Sequence, residues 1–210
     1  MNAKPAIIFD FDGTIADSLL VTLQILYELV HHKPLPPENI GKLRAHGSLA
    51  LLRELHIPLW RAIGLLPRVR RRLSKADKTA APITGVPDAI RELSRSHRLF
   101  ILSASSRSGI EAFLARHHLQ DCFVRIYGNA VAWRKAPYLR QLLHDEALEA
   151  EATWYVGDRT WDVRAARAAG IHTAAVTWGF NNARLLKRTH PEVLIFMPVE
   201  LVAKLQVIDP

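Results

Sequence analysis

Short apolar runs alternate with segments of helical periodicity from about residue 82 to the end of the chain. The runs are RLFILS (98–103), CFVRIY (122–127), TWYVGD (153–158), HTAAVTW (172–178) and VLIF (193–196). Between them, apolar residues recur at i, i+3 and i+4, the spacing of one helix face. Such alternation favours a parallel sheet with helices on both sides. With AIIFDF (6–11) as first strand, the sequence predicts a doubly wound α/β fold.

Residues 19–81 interrupt this alternation with leucine-rich stretches that have the character of helices, such as LLVTLQILYELVHH. Prolines 34, 36 and 37 cannot lie inside a helix, so they mark a turn between the first two stretches. PITGV (82–86) restarts the α/β pattern. The sequence therefore predicts an α/β core of residues 1–15 and 82–210, and a small helical cap of residues 16–81.

The net charge of +8 lies mostly in this predicted cap, where residues 19–81 hold 11 Lys or Arg against 4 Asp or Glu. A basic field suits an anionic partner, such as a phosphorylated metabolite, nucleic acid or a membrane surface. An ordinary solvated helix face explains the charge equally well. The run from Arg68 to Arg72 has no interleaved aromatic residues, so the sequence does not favour nucleic acid.

The apolar runs, the start of the chain and the cysteine content bear on the cellular location of the protein. The longest apolar runs fall well short of the roughly 20 residues of a membrane span. The start of the chain lacks a basic stretch followed by a long apolar one. Cys122, the single cysteine, has no partner for an internal disulfide, which suits a reducing compartment. We expect a cytoplasmic protein without membrane association, and the sequence does not indicate its oligomeric state.

Asp10 and Asp12 follow the first predicted strand directly. Alternate side chains of an extended chain share a face, so both carboxylates reach one pocket beyond the carboxyl end of the strand. Open parallel sheets bind their ligands at this position. Paired carboxylates in a low-dielectric site repel each other unless a cation lies between them or one is protonated. Gly13 then allows a turn and Thr14 supplies a hydroxyl, although two capping aspartates are the alternative reading.

Three further signals lie at or after the ends of other predicted strands. Ser103 leads into ASSRSG, where hydroxyls and backbone N–H groups can hold phosphate oxygens or simply cap a helix. Lys135 lies at or just before a helix start, although most lysines are solvated surface groups. Asp158 and Asp162 in VGDRTWD fit a cation site at the same sheet edge, or else cap the following helix.

Together these features resemble the four motifs of the haloacid dehalogenase superfamily, in order and over nearly the whole chain. The matching elements are DFDGTIADS, Ser103 after an apolar strand, Lys135, and VGDRTWDVRAARAAG. The likeness is closest to the phosphoglycolate-phosphatase-like branch, which has a helical cap between the first and second motifs. The resemblance implies a Rossmannoid core and a Mg²⁺-dependent phosphomonoesterase that acts on a small phosphorylated metabolite.

The resemblance also implies roles for the two early aspartates and for the metal ligands. Asp10 would be the nucleophile that forms an aspartyl phosphate, and Asp12 the general acid and base. Mg²⁺ would be held by a carboxylate oxygen of Asp10, the backbone carbonyl of Asp12 and the carboxylate of Asp158. Asp162 would orient Lys135 or a metal-bound water.

The remaining implied roles concern the phosphate and the leaving group. Ser103 and the N–H of Ala104 would bind the transferring oxygens, next to Gly13 and Thr14, while Lys135 stabilises their charge. Arg44 in the cap is the candidate for a second anionic group of the substrate, although a solvated arginine is an equal alternative.

Some residues depart from the family pattern. Ala104 and Ser105 replace a common polar pair. Lys135 is followed by Ala136 rather than by proline, so Arg134 is the alternative cation. A phosphomutase, a hydrolytic dehalogenase and a non-catalytic binding or regulatory module are the alternative functions on this fold.

Overall fold

The computed structural model describes residues 4–34 and 80–205, together with a few positions between these ranges. The strands of the described residues are β1 (Ala6–Phe9), β2 (Arg98–Leu102), β3 (Arg125–Tyr127), β4 (Thr153–Gly157), β5 (His172–Val176) and β6 (Val193–Ile195). All pair in parallel, in the order β3-β2-β1-β4-β5-β6. The doubly wound α/β fold predicted from the sequence is confirmed.

The described helices longer than one turn lie between the strands or follow them. They are α1 (Leu19–His31), α2 (Val86–Ser96), α3 (Arg107–Arg116), α4 (Lys135–Asp145), α5 (Thr160–Ala169), α6 (Ala183–Lys187) and α7 (Glu200–Leu205). The third apolar run forms a shorter strand than predicted, because Gln120–Cys122 fold into a 3₁₀ turn before β3 begins at Arg125.

Alternation along the strands builds a hydrophobic cluster on each face of the sheet. Ile7 and Phe9 of β1 point to one face, where they join Ile90 of α2 and Phe113 of α3. Ile8 points to the other face. There the strand side chains pack with Leu139 and Leu142 of α4 and Ala166 of α5. Alternate apolar side chains of the strands thus pack under the helices on both faces of the sheet, and polar groups lie at the strand ends.

The chain leaves the core after β1 and re-enters it before α2, and the two crossing points are hydrogen-bonded to each other through their backbones. The N–H of Asp17 donates to the carbonyl of Ala81 at 2.9 Å, and that of Ile83 donates to the carbonyl of Ile15 at 2.9 Å. Within the segment, Ile25 of α1 packs against Leu65 and Val69. The division into core and cap stays a prediction, since most of residues 35–79, including Arg44, lie outside the described residues.

None of the helices in the described part of the chain has the length and apolar character that a membrane span needs.

Phe113 is fully buried and packs edge-to-face on Phe11 with ring centroids 5.0 Å apart. Truncating this side chain should therefore lower the stability of the protein strongly. We expect Phe113→Ala to lower the free energy of unfolding by about 3–5 kcal/mol, because it removes apolar contacts and leaves a cavity. Urea denaturation measures the change. Val124→Ala is the control, since this side chain is 53% exposed and should change the value by less than about 0.5 kcal/mol. Equal effects of the two substitutions would contradict this description of the core.

Candidate active site

The site lies where the order of the strands reverses. β1 lies between β2 and β4, with Phe9 in register with Ile101 and Val156. Because the three strands end nearly level, the side chains that follow them meet at one edge of the sheet. Asp10, Ser103 and Asp158 come from these three strand ends, and each is at most 4% exposed. Crevices at such switch points are the usual ligand sites of open α/β sheets.

Lys135 is the cation at the centre of the site. It is the first residue of α4 and is 1% exposed. Its Nζ lies 2.7 Å from Oδ2 of Asp10, 2.9 Å from Oδ1 of Asp162 and 2.8 Å from the hydroxyl of Tyr155. Burial lowers the pKa of Lys135, but Asp10 and Asp162 more than offset this, so its pKa is raised overall. The ammonium group is therefore charged and held by three oxygen atoms.

Asp158 and Asp162 are fully buried and have raised pKa values. Burial and repulsion from Asp162 and Asp10 raise the pKa of Asp158 to about 7, although the charge of Arg159 opposes the rise. Burial and Asp10 raise the pKa of Asp162 to about 6, while Lys135 opposes the rise. The protein therefore places more negative charge here than Lys135 alone balances.

Two glycines allow the Asp158 carboxylate to fit. Gly13 has φ +78°, and a Cβ added to it would lie 2.5 Å from Oδ2 of Asp158. An added Cβ at Gly179 would also collide with this carboxyl group. The carboxylate itself accepts hydrogen bonds from the hydroxyl of Thr14 at 3.4 Å and from the N–H of Phe180 at 2.5 Å. The turn after Asp12 thus packs directly on the end of β4.

Asp12 is oriented by a serine. The hydroxyl of Ser105 donates to its Oδ2 at 2.5 Å, while its Oδ1 is buried without a hydrogen-bond partner. Burial raises the pKa of Asp12 and the charge of Asp10 adds to the rise, whereas Ser105 and Ser18 oppose it. A carboxyl group that keeps one oxygen without a hydrogen-bond partner retains the capacity to exchange a proton.

The second strand end supplies hydroxyl and N–H groups. Ser103 is 1% exposed, and its hydroxyl accepts a hydrogen bond from the N–H of Ser105 at 3.2 Å. Ala104 is only partly buried. The following helix, α3, is capped by Ser106, whose side chain accepts from the N–H of Gly109 at 3.2 Å. The helix cap is therefore Ser106 and not Ser103, so the Ser103 hydroxyl stays at the strand end.

Asp10, Asp158 and Asp162 can bring carboxylate oxygens within 4.8 Å of one another, which fits a metal ion. The hard oxygen donors are those that Mg²⁺ prefers. Asp162 is already engaged at both oxygens, by Lys135 and by the N–H of Arg159 at 3.1 Å. Asp10 and Asp158 are engaged at both oxygens as well, so all three carboxylates are held in fixed orientations, and Asp162 both positions Lys135 and caps α5. The carboxylate of Asp12 lies outside this cluster, and a role for its backbone carbonyl stays a prediction.

A family model for haloacid dehalogenase-like hydrolases matches residues 7–176, which include Asp10, Ser103, Lys135 and Asp158. The chain belongs to the haloacid dehalogenase-like hydrolase family. It is similar to a phosphoglycolate phosphatase from Synechococcus elongatus, 37% identical over 94% of this chain and 95% of that protein. A phosphoglycolate phosphatase from Chromobacterium violaceum is 30% identical over 89% of this chain and 91% of its own length.

Solved structures agree with this assignment. A haloacid dehalogenase-like hydrolase from Streptococcus pneumoniae superposes with a TM-score of 0.77 and 25% identity, covering 98% of this chain and 100% of that one. With the family model and the phosphoglycolate phosphatases that match most of its length, the chain is a phosphatase of this family, similar to the phosphoglycolate-phosphatase-like branch.

Several residues of the hydrolase site were missed by sequence reasoning. The sequence pattern indicates Tyr155 only as part of an apolar strand, and Ser105 only as a departure from the family pattern. The period of two along β4 could have indicated Tyr155, since it places this residue on the face that packs on α4, the helix that begins at Lys135. The contacts of Phe180 and Gly179 with Asp158 carry no local sequence signal.

The structure separates the two cation candidates. Arg134 is exposed, whereas Lys135 is buried among acidic groups. Arg44, proposed to contact the substrate, lies outside the described residues.

Lys135→Met should lower phosphatase turnover by about 100- to 1,000-fold, because it removes the fixed charge beside Asp10. Arg134→Ala should change it by less than about threefold, since surface charges contribute little. Steady-state hydrolysis of a generic phosphate ester measures both, with Lys135→Arg as a charge-retaining variant in case the methionine protein does not fold. A large loss in Arg134→Ala with normal turnover in the Lys135 variants would reverse the assignment.

Ser105→Ala should affect substrates according to their leaving group. If Ser105 orients a proton donor, turnover of an alkyl phosphate falls by about tenfold or more, while that of p-nitrophenyl phosphate changes little because its leaving group needs no proton. Ser105→Thr keeps a hydroxyl and should restore most alkyl phosphate turnover. An equal decrease for both esters would show that Ser105 does not act through Asp12.

Proposed function

We propose that this phosphatase is a Mg²⁺-dependent phosphomonoesterase that hydrolyses a small phosphorylated metabolite through an aspartyl phosphate. The convergence of Asp10, Lys135 and Asp158 at one buried strand edge is the observation that supports it most directly. A buried carboxylate held by a lysine is an anionic nucleophile with its charge already partly balanced.

Asp10 is the proposed nucleophile. Its Oδ1 accepts from the N–H of Phe11 at 2.7 Å and its Oδ2 faces Lys135, so its carboxylate is held in one orientation. Attack on phosphorus forms an O–P bond to Asp10 and releases the alkoxide of the substrate. The fixed orientation avoids the entropic cost of aligning the nucleophile in each turnover.

Asp12 is the proposed acid and base. As a carboxylic acid it protonates the leaving alkoxide, and as a carboxylate it then removes a proton from the water that attacks the aspartyl phosphate. Its Oδ1, which has no hydrogen-bond partner, and its anchoring by Ser105 support this assignment. The same residue thus serves both halves of the reaction.

The phosphoryl oxygens would be bound by the hydroxyl of Ser103, the N–H of Ala104 and the ammonium of Lys135, near Gly13 and Thr14. These donors come from three different parts of the chain and need little reorganisation when negative charge shifts in the transition state.

Mg²⁺ would be held by Asp10, Asp158 and the backbone carbonyl of Asp12, with Asp162 nearby. When bound, it neutralises carboxylates and phosphate together, so that an anionic nucleophile can approach an anionic ester. The raised pKa of Asp158, about 7 without a cation, is consistent with a site built to contain one.

Phosphoglycolate is the first substrate to test, because relatives that match this chain over most of its length are named phosphoglycolate phosphatases. The proposed cap, residues 16–81 with Arg44, would cover the site, exclude water and contact the leaving group. The single cysteine supports a cytoplasmic location. Nucleic acid is not among the proposed partners.

Asp10→Asn should abolish hydrolysis in a panel of phosphate esters, because the amide is a poor nucleophile. Asp17→Asn is the matched control, since this aspartate lies in the same loop and is exposed. Phosphate release with Mg²⁺ and with a chelator measures the requirement for the metal. Full activity of Asp10→Asn would reject the mechanism, activity in chelator would favour a metal-independent reaction, and transfer without release would indicate a mutase.

A further inference from the structure

Arg159 has an unusual environment for an arginine. Its guanidinium carbon lies 3.9 Å from the ring centroid of Phe180 and 5.0 Å from that of Trp161. Its Nε is buried and has no hydrogen-bond partner. Cation–π contact with aromatic rings holds the guanidinium in place but does not satisfy its N–H donors. A buried donor without an acceptor costs free energy, which a ligand that supplies the acceptor would recover.

The Phe180 ring places this guanidinium beside the active site. A Cβ on Gly13 would lie 2.7 Å from Cδ2 of Phe180, so the ring packs against the turn that follows Asp12. The backbone N–H of Phe180 also binds Asp158. Arg159 therefore lies one aromatic ring away from the loop that carries the proposed proton donor.

The neighbouring carboxylates do not use the guanidinium as a hydrogen-bond partner. The oxygens of Asp158 accept from Thr14 and Phe180, and those of Asp162 from Lys135 and the backbone of Arg159. Burial raises the pKa values of Asp158 and Asp162, and the charge of Arg159 opposes the rise in both. The guanidinium thus acts on the site through its field, while its Nε has no hydrogen-bond partner among the described residues.

The unpartnered N–H donor of Arg159 favours an oxyanion as its ligand. The guanidinium fork matches a carboxylate or a phosphate in two-point geometry. The transferring phosphoryl group already has Ser103, Ala104 and Lys135 as proposed donors. The charge of Arg159 also acts on Asp12, beside which the leaving group lies under the proposed function. The remaining oxyanion there is a second anionic group of the substrate.

We propose that Arg159 binds a carboxylate on the leaving group and thereby selects phosphate esters that carry this second negative charge. The inference rests on the proposed function and adds a determinant of specificity from the core, independent of the cap.

The experiment compares 2-phosphoglycolate with ethyl phosphate, an ester with a leaving group of similar length and no carboxylate. Arg159→Met should lower kcat/KM for phosphoglycolate by about 10- to 100-fold, while kcat/KM for ethyl phosphate changes by less than about threefold. Arg159→Lys should be intermediate, because it keeps the charge and loses the fork. Arg164→Met, at an exposed position of the same helix, is the control and should leave both substrates unchanged.

An equal decrease of kcat/KM for both esters would overturn the inference, because Arg159 would then act through the aspartates. An unchanged kcat/KM for both esters would overturn it as well. Calorimetric binding of phosphoglycolate to Asp10→Asn protein separates this result from failure of the proposed function, because it needs no turnover. Adding Arg159→Met to that protein should weaken binding by about tenfold or more. If the wild-type protein hydrolyses neither ester, the proposed function fails, and the calorimetry alone decides the role of Arg159.

Discussion

The ion pair between Lys135 and Asp10 holds the site together. Both groups are nearly inaccessible to water, and the ammonium also contacts Asp162 and the hydroxyl of Tyr155. Removing such charges from water is expensive, so the arrangement persists only because each has close partners of opposite charge or suitable polarity. The lysine offers three N–H donors, and three oxygens accept them. This geometry ties α4, β1, β4 and α5 to one point.

The buried carboxylates around Lys135 carry more negative charge than its ammonium group balances. One lysine among the buried carboxylates of Asp10, Asp158 and Asp162 cannot neutralise all of them, and the pKa values of the latter two rise accordingly. A site of this composition is stable with a proton or with a divalent cation. Under the proposed function, binding a cation and a phosphate together would relieve the repulsion among these carboxylates.

Much of the fold followed from periodicity. Strands β1 to β6 lie within the six apolar runs, since short, buried parallel strands have continuous apolar sequences with few other interpretations. The shortening of β3 was missed because a 3₁₀ turn and a strand end are decided by neighbours along the sheet. The acidic residues were foreseen because side chains after parallel strands share an edge. Tyr155, Ser105 and Arg159 were not, because their partners are distant in sequence.

The sequence by itself determined the α/β class, the edge at which chemistry takes place and the residue types available there, since all three depend on local pattern and on the direction of parallel strands. Only the tertiary structure decided the pairing: that Lys135 rather than Arg134 faces Asp10, that Ser105 holds Asp12, and that Gly13 and Gly179 make room for Asp158. Such contacts join segments that lie up to 144 residues apart, as Thr14 and Asp158 do, and packing alone brings them within hydrogen-bonding distance.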